Sequence, residues 1–212
     1  MLVICPQCNV YEPEQQVDAA AGLLTCPHCG KTRPFLCLPL LIIGGASGTG
    51  KTTACLRLLG RMRRAVLLDC DLLWRPEFNH PEDNYRDFFD TWLALCREIN
   101  QSGRPVALFG SGFGVPHNLE VSVHRRYFST VHYLDLVCSE AVQRARLTAR
   151  AAPNPLDETF FAVQVDFNRW IKTNAAGVGS PIETLDTTAM SMDAVADGVE
   201  TWLLEKITDL PD

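Results

Sequence analysis

Gly45-Ala46-Ser47-Gly48-Thr49-Gly50-Lys51-Thr52 fits G-x-x-x-x-G-K-[ST], the pattern of a glycine turn that grips a phosphate chain. Its glycines let successive N–H groups converge on phosphate oxygens, and a helix N-terminus adds partial positive charge. In such a loop Lys51 reaches the β- and γ-phosphates of a nucleotide and Thr52 holds Mg²⁺. A chance glycine-rich turn is the alternative, and the flanks argue against it. Leu40 to Ile43 is an apolar run that reads as a buried strand, and Thr52 to Met62 reads as a helix. Strand, loop and helix in that order are the context the pattern needs.

Two Cys-x-x-Cys pairs carry a second chemistry. Cys5 and Cys8 are followed, after seventeen intervening residues, by Cys26 and Cys29. Two such knuckles supply four thiolates to one tetrahedral Zn²⁺, a closed and therefore structural site. His28 lies within the second knuckle and reads as exposed rather than as a ligand. The segment Glu12 to Ala21 is too short and polar to hold a core without metal. A redox pair is the competing reading, but it calls for a single pair beside a βαβ unit. The other five cysteines, Cys37, Cys55, Cys70, Cys96 and Cys138, sit in apolar contexts that predict inert packing. Cys70 stands apart because aspartates flank it.

Asp69 and Asp71 close an apolar strand pattern, Ala65 to Asp69, where parallel sheets gather ligands. Strand alternation predicts both on one side. One would hold Mg²⁺ through water, and Asp71 would accept the proton of an attacking hydroxyl. Arg146 and Arg150 share a helix face and could close over transferring phosphate. Arg144 and Arg169 are weaker candidates for the same role. Phe109 to Gly114 reads as a mobile glycine loop at the ligand edge, with Ser111 free to hydrogen-bond. Trp74-Arg75-Pro76 and His124-Arg125-Arg126 are candidates to line an acceptor pocket, or ordinary surface.

The elements that must position these groups alternate. Strands are expected at Pro105 to Phe109, Val131 to Val137 and Ile182 to Leu185. Helices are expected from Asn84 to Asn100, from a Ser139 cap to Arg150, from an Asp157 cap to about Asn174, and from a Ser191 cap to near Ile207. Alternation of this kind predicts a parallel sheet with helices on both faces, one α/β domain over residues 38–212. Residues 1–34 form the small zinc ribbon, with Lys31 to Pro34 as a polar joint too short for free tumbling. The ribbon is then expected to fold onto the body and shape the acceptor pocket. The 212 residues are 47% apolar, with net charge −6. That acidity disfavours broad nucleic-acid binding, though a local basic patch stays open. No run is long enough for a membrane span and no leader pattern is seen, which predicts a cytoplasmic protein with reduced thiols.

Together these residues resemble the small P-loop kinases: the nucleoside, nucleoside-monophosphate, shikimate and gluconate kinase group. The runs LLDCDLLW, GRPVALFGSG, RRYFSTVHYLDLVCSE, RARLTAR and FNRWIK look like bacterial proteins described as AAA-family ATPases or nucleoside kinases. The likeness spans about residues 38–207 and leaves the ribbon as an addition. It implies a three-layer αβα fold with five parallel strands in the order 2-3-1-4-5. It implies Mg-ATP at Gly45 to Thr53, an Asp69/Asp71 pair, a lid carrying Arg146 and Arg150, and an adenine contact near Asp186-Thr-Thr188. The third strand departs from the pattern: it ends in Phe-Gly-Ser rather than an acidic residue, so metal handling would rest on Thr52, Asp69 and Asp71. The Pro-rich stretch Ala151 to Pro155 implies a short lid. The expected activity is transfer of the ATP γ-phosphoryl group to a small hydroxyl or phosphate acceptor. The alternatives are an ATP-dependent switch or adaptor whose ribbon docks on protein or nucleic acid, and an RNA-end kinase.

Overall fold

The computed structural model describes residues 2–151 and 157–208. Three short antiparallel strands come first: β1 (Gln16–Asp18), β2 (Leu23–Thr25) and β3 (Thr32–Pro34). Thr32 to Pro34 is thus a strand of the ribbon, and the polar joint expected there is instead paired against Leu23 to Thr25. The body then alternates β4 (Leu40–Gly44), α1 (Lys51–Leu58), β5 (Val66–Asp69), α2 (Arg86–Asn100), β6 (Val106–Phe109), α3 (Pro116–Glu120), β7 (Val131–Val137), α4 (Glu140–Ala151), α5 (Glu158–Ala175), β8 (Ile182–Asp186) and α6 (Met192–Lys206).

The five body strands pair in parallel in the order β5-β6-β4-β7-β8. Counted within the body this is 2-3-1-4-5, as the kinase resemblance implied. β4 is central, and all five of its residues are buried. A strand covered on both faces must be apolar throughout, which is why its sequence does not alternate. Leu41 and Ile43 pack against α1 and α6, through Ala54, Leu58, Val199 and Leu203. Leu40 and Ile42 face α2, through Phe88, Trp92 and Leu93. The two cores clamp the sheet, so the loops at its C-terminal edge hang from a rigid frame.

Helix ends follow local chemistry. Asp157 caps α5 through Thr159 N–H (2.9 Å), and Ser191 caps α6 through Ala194 N–H (3.1 Å). α1 stops at Leu58, short of the expected Met62, because the chain turns through Gly60 at φ 81°. α2 begins at Arg86, since Asn84 and Tyr85 are both left-handed, at φ 56° and 57°.

The ribbon is fastened to the body. Leu2, Leu24 and Phe35 bury against Tyr127. The Arg97 side chain, from the last turn of α2, donates to Pro13 O (3.2 Å) and lies 4.3 Å over the Tyr127 ring. Gln101 holds both backbone groups of Leu36, at 2.9 and 3.0 Å. These anchors sit at the C-terminal end of α2 and the start of β4, the edge of the sheet opposite the glycine loop. No described helix is long and apolar enough to cross a membrane.

Candidate functional site

β4 runs out at Gly44, and the loop to α1 must reverse tightly. Gly45, Gly48 and Gly50 take φ of 124°, 86° and 113°, values that only glycine adopts without strain. Residues Ser47 to Thr53 line a cavity of about 360 Å³ at the C-terminal edge of the sheet. Gly45 and Ala46 lie beneath it and offer their carbonyls to Lys51 Nζ, at 2.8 and 2.9 Å. Burial holds the Lys51 pKa down to about 8, opposed by the nearby Cys70, Asp135, Asp71 and Asp69.

The acidic pair shares this cavity. Asp69 is the last residue of β5, and its Oδ2 accepts from Thr52 Oγ1 at 3.1 Å. Its Oδ1 accepts from the Asp71 N–H at 3.0 Å and caps a tight 3-10 turn, Cys70 to Leu73. The two carboxylates converge because of that capped turn, not by strand alternation, since Asp71 lies beyond the strand. Ligand atoms of Asp69, Cys70 and Asp71 fall within 4.8 Å of one another. Hard carboxylate and hydroxyl oxygens suit Mg²⁺, so Thr52 and Asp69 fit the ion the loop implies. Burial, and then the flanking carboxylates, push the Cys70 thiol far up, which leaves it a neutral packing group.

From α4, Arg146 and Arg150 also line the cavity. Arg146 is tied down: it donates to Thr187 Oγ1 and Thr187 O, both at 2.9 Å, and approaches Thr49 O at 3.4 Å. Thr187 in turn donates to Thr49 O (3.0 Å), so the segment after β8 is stitched to the glycine loop. Arg150 has no ion pair among the described residues. Met190, Met192 and Val195 give the same end of the cavity an apolar wall.

Several weaker candidates lie elsewhere. Arg144 pairs with Glu140 and Glu158, and Arg169 with Asp166 and Glu140, on the outer faces of α4 and α5. His124 contacts Arg97 beneath the ribbon, and Arg125 pairs with Glu120, so that basic run does not line the glycine-loop cavity. Trp74 packs edge-on against Phe88 and beside Tyr85. The ribbon, docked at the opposite sheet edge, contributes nothing to the cavity lining, against the expectation that it would shape it. The Gly110 to Gly114 segment is closely packed. A Cβ on Gly110 would meet Cys70 Sγ at 2.6 Å, and Phe113 and Gly114 are buried. Of the Pro-rich lid stretch, residues 152–155 lie outside the described residues.

Asp135 went unread in the sequence because it sits inside the apolar strand pattern of β7. It pairs in register with Gly44, at the root of the glycine loop. The side chain is fully buried, and neither oxygen has a hydrogen-bond partner among the described residues. It fits only because Gly44 and Gly114 lack side chains: Cβ atoms there would stand 1.8 and 2.0 Å from Asp135 Oδ1. Burial raises its pKa to about 7, against the pull of Lys51. An aspartate paired with the residue before a G-x-x-x-x-G-K-T run is the one signal that could have exposed it.

At the other end, the four ribbon sulfurs lie within 4.8 Å of one another, with Cys5–Cys29 at 3.7 Å and Cys8–Cys26 at 3.9 Å. Four sulfurs on a tetrahedron at ~2.3 Å from zinc stand about 3.8 Å apart, so the site fits the ion. The N–H of Cys8 lowers the Cys5 thiol. Cys8, despite the lowering N–H of Val10, is pushed up by burial and the other sulfurs. Four thiols this close cannot all ionise without a cation. His28 is exposed and bonds Glu12 at 3.0 Å, outside the ligand set.

A glycine phosphate loop at the central strand, helices on both faces and sheet order 2-3-1-4-5 define the P-loop kinase-like fold, here preceded by a four-cysteine ribbon. Among solved structures, a sugar kinase from a Janibacter species superposes with TM-score 0.59 at 16% identity, covering 78% of this chain and 94% of its own. A tunicamycin resistance protein from Deinococcus radiodurans gives 0.57 at 16% identity, covering 78% and 95%. A gluconokinase from Sinorhizobium meliloti gives 0.54 at 16% identity, covering 82% and 97%. No protein-family model matches the chain, and no curated protein matches it in sequence. At such identities the likeness is one of fold.

Proposed function

We propose that this protein is an ATP-dependent phosphotransferase that moves the γ-phosphoryl group of ATP to a small hydroxyl or phosphate acceptor. The observation that carries the reading is the meeting of three sets of groups in one cavity: Lys51 with Thr52, Asp69 with Asp71, and Arg146 with Arg150. The loop N–H groups and Lys51 bind the phosphates. Thr52 and Asp69 would hold Mg²⁺, which neutralises phosphate charge. Asp71, exposed and anchored through its own N–H, accepts the proton as the acceptor oxygen forms its bond to phosphorus. The bond from phosphorus to the β-γ bridging oxygen breaks, and ADP leaves. Arg150 neutralises charge on the transferring group, while Arg146 fixes the loop against Thr187. Solved proteins of like fold include a sugar kinase and a gluconokinase, which supports the chemistry without naming this acceptor.

The direct test is a screen of nucleosides, nucleotides, sugars and small acids for ATP-dependent phosphorylation. With the acceptor found, Lys51→Ala and Asp71→Asn are each expected to lower transfer by about 10²-fold or more, with the fold kept. Unchanged turnover in both variants ends the assignment. ATP hydrolysis stimulated by a protein or nucleic acid, with no phosphorylated product, would instead mark a switch.

A further inference from the structure

Two glutamines outside the site assigned above hold the two peptides that flank Ser47 in the glycine loop from behind. Gln143, on α4, is fully buried. Its Nε2 donates to Ser47 O at 2.9 Å and to Gln164 O at 3.0 Å. Gln164, on α5, accepts the Ser47 N–H on its Oε1 at 2.8 Å. Both backbone polar groups of Ser47 are therefore taken by side chains from the pair of helices that follows β7. The orientation of Gln143 is forced, because turned over its oxygen would face two carbonyl oxygens. Its Oε1 is left buried without a partner among the described residues. An orphaned buried acceptor costs about 1–3 kcal/mol, so the grip on Ser47 is kept against a penalty.

Peptide planarity turns this grip into control of the loop. In a trans peptide the C=O and the next N–H point in opposite directions. Anchoring Ser47 O to Gln143 therefore turns the Gly48 N–H away from α4, toward the cavity that Gly48 lines. Anchoring the Ser47 N–H to Gln164 turns the Ala46 carbonyl the other way, where it accepts from Lys51 Nζ. α4 presses on the same point: a Cβ on Gly48 would stand 3.0 Å from Leu147. We infer that Gln143 and Gln164 are positioning residues that preset the Ser47 peptides, so that the loop meets phosphate already in its binding shape. The inference rests on the nucleotide-binding reading above and extends it, because α4 also carries Arg146 and Arg150. One helix then sets both the phosphate loop and the arginines that face it.

The test uses the full chain with Gln143→Met, Gln164→Met and the double variant. Methionine keeps the length and removes the amide. Titrations with MgADP and with adenosine separate phosphate gripping from base binding. Each single variant is expected to weaken MgADP about tenfold and leave adenosine within about twofold. The double variant is expected to lose little more than either single one, because both amides fix the same residue, Ser47. A change in packing alone would shift melting temperature, or move both ligands together. Unchanged MgADP affinity in a folded Gln164→Met chain overturns the inference, as does an additive hundredfold loss in the double variant. Gln164 is only half-buried, so its variant decides the matter if Gln143→Met does not fold. If the wild-type chain itself ignores MgADP, it is the nucleotide-binding reading that falls.

Discussion

Asp135 and Lys51 face each other across the root of the phosphate loop, and burial drives both toward neutrality. The signs of their linkage to folding are opposite. Asp135 is raised from 3.8 to about 7, so between those values the folded chain keeps a proton that the unfolded chain releases. Stability then falls as pH rises through that window. Lys51 is lowered from 10.5 to about 8, so between about 8 and 10.5 the unfolded chain holds the extra proton and stability rises with pH. The pair should give the nucleotide-free protein a dip in stability near pH 7 to 8. Asp135→Asn removes the falling limb and should melt above the wild type at pH 8, and Lys51→Met removes the rising limb. Melting curves from pH 5 to 10 check both. A wild-type profile matching Asp135→Asn throughout would mean that Asp135 is ionised and paired. The phosphate loop and the two carboxylates were legible as residues because their spacing is diagnostic. Asp135, Gln143 and Gln164 were not, since each works through a partner distant in sequence.

At the scale of elements, the sequence patterns and caps placed every body strand and five of its described helices, the strands because a doubly covered sheet demands continuous apolar runs. The five-residue helix Pro116–Glu120 went unread, having no room for a helical period. So did the tight turns between Cys70 and Asp83, whose shape comes from side-chain caps and prolines. The glycine segment after β6 was legible as a loop but not as a packed one. Its close packing rests on Asp135, which supplies the three nearest atoms that a Gly114 Cβ would meet. Gly114→Ala should therefore cost about 1–3 kcal/mol by overpacking, and most of that cost should vanish in an Asp135→Ala background. Denaturant unfolding of the four proteins measures the coupling. Additive losses would place the strain in the backbone of residues 112–114 instead.

For the whole molecule, the question is what the ribbon does for a cavity it does not touch. Its buried apolar set is Leu2, Leu24 and Phe35, completed by Tyr127 of the body, too small to fold residues 2–34 without metal. Stripping the ion should release the knuckles and bare Tyr127 and the buried side chain of Arg97. That loss lands on the C-terminal end of α2, which also anchors the start of β4 through Asn100 Nδ2 to Pro39 O at 3.4 Å. Treatment with a strong chelator should therefore free one Zn²⁺ per chain and expose four additional reactive thiols. It should also lower the melting temperature of the body by several degrees. MgADP affinity should change by less than about threefold, because the glycine loop hangs from the other edge of a sheet clamped by two cores. Cys26→Ser without chelator is expected to lower the melting temperature alike and to expose the three remaining ribbon thiols. A body that melts unchanged after zinc loss would show the ribbon to be energetically separate. A large loss of MgADP affinity would show that the sheet transmits what happens at its far edge.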